Sequence, residues 1–141
     1  MEEFTDVQAT MLLCDAAQSA EGKLYILGAG WSSMPANVPT NMSLAIKLSV
    51  PWNMANERIG VRASLVDSDG GIVDFEARPV VLGTEFEVGR PPGMKRGTPL
   101  DVSFAFNFPG MRLSPGEYAW TLEIDGVEKA RTPIRALSQM G

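Results

Sequence analysis

Met42-Ser43-Leu44-Ala45-Ile46-Lys47-Leu48-Ser49-Val50 is the stretch that decides the fold class. Five large apolar residues stand at every second position with small or polar ones between, so an extended chain sends the two sets to opposite faces. That is the pattern of a half-buried β-strand. The same alternation recurs in Leu100-Asp101-Val102-Ser103-Phe104-Ala105-Phe106-Asn107-Phe108 and in Tyr118-Ala119-Trp120-Thr121-Leu122-Glu123-Ile124. Weaker copies run through Ile59, Val61, Ala63 and Leu65, and through Val73, Phe75 and Ala77.

The punctuation between these runs is turn chemistry. Asp67-Ser68-Asp69-Gly70-Gly71 and Asp125-Gly126 each separate two strand patterns, and Asp-Gly supplies the positive φ that tight hairpins require. Ten prolines are spread along the chain, leaving few windows for a helix. The best helical window is Asp15 to Glu21, about two turns. About eight or nine short strands without crossover helices predict one all-β domain, an antiparallel β-sandwich.

Composition narrows the chemistry. With 141 residues the chain suits one domain with its own core. Twelve Lys and Arg against 17 Asp and Glu give a net charge of −5, which argues against nucleic acid as the main partner. Histidine is absent, excluding His-based triads and His-ligated metal sites. The opening Met1-Glu2-Glu3-Phe4-Thr5-Asp6 is acidic where a signal peptide starts basic, and the apolar runs are too short to span a bilayer. The single Cys14 cannot form an internal disulfide. A cytoplasmic protein, or one carried on a virion, is expected.

Leu113-Ser114-Pro115-Gly116-Glu117-Tyr118, the strand after it, the Asp125-Gly126 turn and a last strand to Ala136 resemble the closing strand pair of immunoglobulin-like sandwiches. Together with Ala9–Asp15 and Gly22–Trp31, they resemble a functionally uncharacterised family of small bacterial and phage-borne sandwich proteins over Ala9–Ala136. The resemblance implies an immunoglobulin-like fold and no active site.

Local motifs for catalysis are weak. Gly28-Ala29-Gly30 follows a strand, but Ser33 and Pro35 replace what a dinucleotide-binding turn needs. Asp67-x-Asp69-Gly70 lacks the later glycine and glutamate of a calcium loop. Cys14 sits in an apolar pattern with no base to activate it, and Glu85 and Glu87 share one face of a short strand with no pocket indicated. Neither a catalytic site nor a cofactor or metal site is expected.

The loops are unusual, because connecting segments normally carry polar residues. Trp31-Ser32-Ser33-Met34-Pro35, Pro51-Trp52-Asn53-Met54 and Phe108-Pro109-Gly110-Met111 carry tryptophan and methionine, types enriched in protein interfaces. Those side chains either face a partner or fold back to plug the ends of the sandwich. Gly89-Arg90-Pro91-Pro92-Gly93-Met94-Lys95-Arg96-Gly97 holds three cations and no acid. If strands reverse one after another, loops 31–41, 67–71, 89–99 and 125–126 share one end, and 51–57 and 109–117 the other. The expected function is protein binding by a non-enzymatic module, a self-associating protein or an accessory subunit, with a phage decoration or tail-associated protein as one form. Its interface residues would be Trp31, Met34, Trp52, Met54, Arg90, Met94, Lys95 and Arg96. The alternative is a small-ligand or carbohydrate-binding module with Trp31, Trp52 and Tyr25 as a platform.

Overall fold

Alternation becomes two-sided packing in the computed structural model, which describes residues 6–138; the acidic opening at 1–5 and residues 139–141 lie outside that range. The strands are β1 (Gln8–Ala20), β2 (Lys23–Ala29), β3 (Ser33–Pro35), β4 (Thr40–Val50), β5 (Ile59–Asp67), β6 (Asp74–Phe75), β7 (Arg78–Pro79), β8 (Val81–Phe86), β9 (Leu100–Met111), β10 (Gly116–Ile124) and β11 (Val127–Leu137). Among the described residues eleven strands stand where eight or nine were expected, and β3, β6 and β7, of two or three residues each, make the difference. Among the described residues the one helical segment is a 3-10 turn at Trp52–Met54.

Two sheets pack together in a sandwich-like, curled body, one ordered β2-β1-β4-β9 and the other β3-β11-β10-β5-β8. All pairs in them are antiparallel except β3 with β11, where Ser33 lies opposite Arg135. The core between them takes Leu44, Ile46 and Leu48 from β4, Ile59, Val61, Ala63 and Leu65 from β5, Trp120 and Leu122 from β10 and Ile134 from β11. Trp120 is fully buried and rests on Phe108, ring centroids 4.4 Å apart. At one side the edges of β8 and β9 meet through Phe86 and Phe104, whose rings pack edge to face at 5.2 Å.

The Asp15–Glu21 window is not helical. Its residues up to Ala20 continue β1, and Glu21 and Gly22 form the turn into β2. Pairing Ala16, Ala17, Gln18 and Ser19 with Leu27, Ile26, Tyr25 and Leu24 overrides a modest local helix propensity. β1 pairs with β4 only as far as Cys14, and the β1–β2 ribbon then folds back across the outer face of β4 and β9. Ser19 Oγ donates to the Ser103 carbonyl (3.1 Å), and Ser103 Oγ donates to the Gly22 carbonyl (3.4 Å). Small residues make this close approach feasible: Ser43 and Ala45 of β4 are buried although they face away from the core. Cys14 is buried at the fold-back and its thiol donates to the Ser43 carbonyl.

Counting reversals fails at a single place. The 73–77 run does not cross the body; it enters the small β6–β7 hairpin, and only β8 crosses between β5 and β9. One strand fewer inverts the position of every later loop. Loops 87–99 and 125–126 therefore stand with 51–58, as Asn56 N–H to Val88 O and Asp125 N–H to Gly60 O demonstrate. Loop 109–115 stands with 31–41 instead, joined by Asn37 N–H to Leu113 O and Gly110 N–H to Asn41 Oδ1.

Two local devices hold this arrangement. Gly28 has φ +63°, which L side chains rarely adopt, and the Asp15 side chain lies over the position a Cβ would take, so the ribbon's bend favours glycine. Tyr118 Oη donates to the Ser114 carbonyl (2.7 Å), pinning the turn before β10; burial first and the nearby Asp67 second hold its phenol above the ordinary tyrosine range. Gly28→Ala is expected to cost about 1–2 kcal/mol through φ alone, with steric loss in addition, and Asp15→Ala in the same chain should recover the steric part, as read from urea midpoints. A raised folded-state pKa means that the native form holds its proton longer. Stability from Tyr118 is thus full below about pH 10 and declines as pH rises through the folded value. Tyr118→Phe should lower stability at neutral pH by about 1 kcal/mol and flatten the alkaline decline in thermal melts.

Candidate functional site

The end of the body beyond β4, β8 and β10 carries most of the sequence-predicted residues. β4 runs out at Val50, Pro51 is buried, and the 3-10 turn presents Trp52 and Met54, both half-buried against the core. The Arg90 guanidinium lies 4.5 Å from the Trp52 ring centroid, and its Nη2 donates to the Trp52 carbonyl at 2.8 Å. One arginine thus clamps both the ring and the backbone of the same tryptophan, a pairing of cation with π-face reinforced by a charge-assisted hydrogen bond.

The basic loop is built rather than loose. Met94 N–H donates to the Pro91 carbonyl (3.2 Å) and Thr98 N–H to the Lys95 carbonyl (3.1 Å), closing two successive turns. Gly93 (φ +82°) and Gly97 (φ +89°) occupy the third position of each, where a type II turn needs a left-handed residue, and Pro92 precedes the first. Thr98 Oγ1 adds a 2.5 Å bond to the Lys95 carbonyl. Met94 folds back to pack on the core, while Lys95 and Arg96 are exposed. Among the described residues neither has a carboxylate within ion-pair distance, whereas Arg58 at the same end pairs with Glu85 at 3.5 Å.

Trp52, Met54, Arg90, Met94, Lys95 and Arg96 therefore come together at one end. Trp31 and Met34 do not join them. Trp31 lies in the crossing from β2 to β3, half-buried, with its indole nitrogen buried, and Met34 is 3% exposed within the core. In this conformation Met34 offers no surface to a partner; as part of β3 it fills the core beside β11 instead of hanging in a loop. Nor do the aromatics form one platform: Tyr25 is on the outer side of the β1–β2 ribbon, Trp31 in the crossing from β2 to β3 and Trp52 at the end.

Elsewhere the surface offers little reactive geometry. A shallow concavity of about 480 Å³ on the outer face of β5, β8 and β10 opens where Gly60 and Gly83 lack side chains, bordered by Arg62, Glu85, Glu123 and Asp125. Its carboxylates are already engaged in part: Glu85 with Arg58, and Asp125 with the Gly60 N–H at 2.8 Å. Among the described residues no group of three or more Cys, Asp and Glu is placed to share a metal ion. Asp67, once a candidate calcium ligand, accepts the N–H groups of Asp69 and Gly71 and so shapes its own turn. Burial first, and Asp15 second, push the Cys14 thiol above its ordinary range, which disfavours the nucleophilic thiolate.

A model of a protein family of unknown function, DUF6941, matches residues 9–137. The chain belongs to that family. The DUF6941 match runs from the second residue of β1 to the last of β11, so the two-sheet body and the Trp52 end fall inside it. No curated protein matches the chain. No helix among the described residues is long and apolar enough to cross a membrane.

Sequence reading missed how the basic loop is held. Asn56, with φ +64°, turns the chain so that its N–H reaches the Val88 carbonyl and ties the two loops together. The placement of Gly93 and Gly97, three residues after Arg90 and one after Arg96, is the signal that could have disclosed a pair of ordered turns. Arg90→Ala should free the Trp52 ring at a cost of about 0.5–1 kcal/mol, red-shift tryptophan emission and raise acrylamide quenching. Arg90→Lys should restore only part of this, because an ammonium cannot stack as a plane.

Proposed function

We propose that this chain is a non-enzymatic protein-binding module, an assembly or accessory subunit that presents its Trp52 end to an acidic protein surface. The clamp of Arg90 on Trp52 is the observation that carries the reading. It fixes a large aromatic side chain in a half-exposed position, so little rotamer entropy remains to be lost when a partner covers it. Trp, Met and Arg are the types over-represented where interfaces bury area. Lys95 and Arg96 beside them add positive charge to a chain of net charge −5, which favours approach by an acidic surface in one orientation.

We read the strand order as immunoglobulin-like. The pairing of β4 with β9 in one sheet, and of β5, β10 and β11 in the other, supports this, as does the bond from Tyr118 back to Ser114. The β1–β2 ribbon and the β6–β7 hairpin are additions to that plan. A subunit on a phage particle is the form of the proposal that the sequence resemblance favours.

The test is affinity capture from cells of the source organism with the tagged chain, its Trp52→Ala variant and a Lys95→Glu/Arg96→Glu variant. A captured acidic protein should be lost by about tenfold or more in both variants, and released by moderate salt. Capture that is indifferent to all three changes would refute the role of this end.

A further inference from the structure

Free sheet edges template association, and most of those in this molecule are blunted. β3 is three residues long and ends on Pro35. β8 interrupts its apolar run with Gly83, Thr84 and Glu85. β9 carries Pro109 and Gly110, and its Ser103 carbonyl already accepts the Ser19 hydroxyl. The part of β11 that β3 does not reach carries Glu128, Lys129 and Arg131. β2 carries Lys23 at its start and the bend at Gly28 near its end, but its centre, Leu24-Tyr25-Ile26-Leu27, has none of these devices. It is the terminal strand of its sheet and reads Lys23-Leu24-Tyr25-Ile26-Leu27-Gly28-Ala29, with Tyr25 53% and Leu27 71% exposed.

We propose that the β2 edge pairs with the β2 edge of a second copy of this chain, antiparallel about a two-fold axis at Ile26. The sequence is self-complementary in that register. Tyr25 lies opposite Leu27 of the second copy on the exposed face, an aromatic–aliphatic cross-strand pair made twice by the symmetry. Lys23 lies opposite Ala29 of the second copy at each end of the new ladder, so the like charges of the two copies stay apart. Backbone groups of β2 that face water in the single chain gain partners, and the two ribbons become one four-stranded layer. This goes beyond the reading of the Trp52 end and does not depend on it.

Sedimentation-velocity mass of the purified chain, followed from about 1 to 100 μM, tests the proposal. The expected result is a concentration-dependent dimer that Leu27→Lys and Tyr25→Lys each weaken by about tenfold or more, with far-UV circular dichroism unchanged. The register has its own readout: Ile26→Cys, opposite itself at the axis, should cross-link two chains under mild oxidation, whereas Leu82→Cys on the β8 edge should not. A monomer throughout, or a dimer unaffected by Leu27→Lys, would overturn the proposal. Trp52→Ala and Arg90→Ala should leave the mass unchanged, so failure of this dimer and failure of the Trp52 end are separable.

Discussion

Along Met42–Ile46 β4 is buried on both faces, and the rest of the structure accommodates that constraint. Toward the core it must be large and apolar, as Leu44, Ile46 and Leu48 are; away from it, Ser43 and Ala45 are nearly as deeply buried. A strand at a protein surface would carry polar groups there. Here the outer side chains are small because the β1–β2 ribbon lies over them, and the ribbon can lie there only because they are small. Asp15 and Gly28 set the bend, while Cys14, Ser19 and Ser103 supply the hydrogen bonds that fasten it. Ser43 also bonds to Asn107, so the same outer face ties β4 to β9.

The two ends of the body are closed in different ways. At the Asn37 end the loops bond to each other through backbone groups and Asn41, and Met34 and Ala36 are drawn into the core. At the Trp52 end the closing side chains stay half-exposed, and an arginine holds the largest of them. For the binding role proposed above, a scaffold with one such end would separate stability from recognition, since exposed side chains such as Lys95 and Arg96 can change without touching the core between the sheets.

The long alternating strands β4, β9 and β10 were legible in the sequence because their period reports directly on a buried face. The all-β class followed from them. What the sequence did not disclose was parity. Val73, Phe75 and Ala77 alternate like a strand, yet Asp74 to Pro79 fold into a hairpin too short to cross the body, and a period-two signal carries no information about length of travel. The loop at Arg90 was recognised as basic but assigned to the wrong end for that reason. Asp15 to Glu21 looked helical because alanines favour a helix locally, and only pairing with residues 24–27 decides otherwise. Met34 read as loop because three-residue strands such as β3 leave almost no periodic trace; its partner is Ala136, a hundred positions away.

That last pairing has a bearing on how the chain is made. β3 needs β11 beside it, and β11 supplies Ile134 and Ala136 to the core, so the second sheet lacks an inner strand until translation has passed residue 137. At about 5–20 residues per second, a ribosome holds Ser33 through Pro35 without their partner for roughly 5–20 s. β10 itself waits far less: from Ile124 to Leu137 is about 1–3 s at the same rate, so the segment that goes longest without its neighbour is the short β3 and not the strand that carries Trp120.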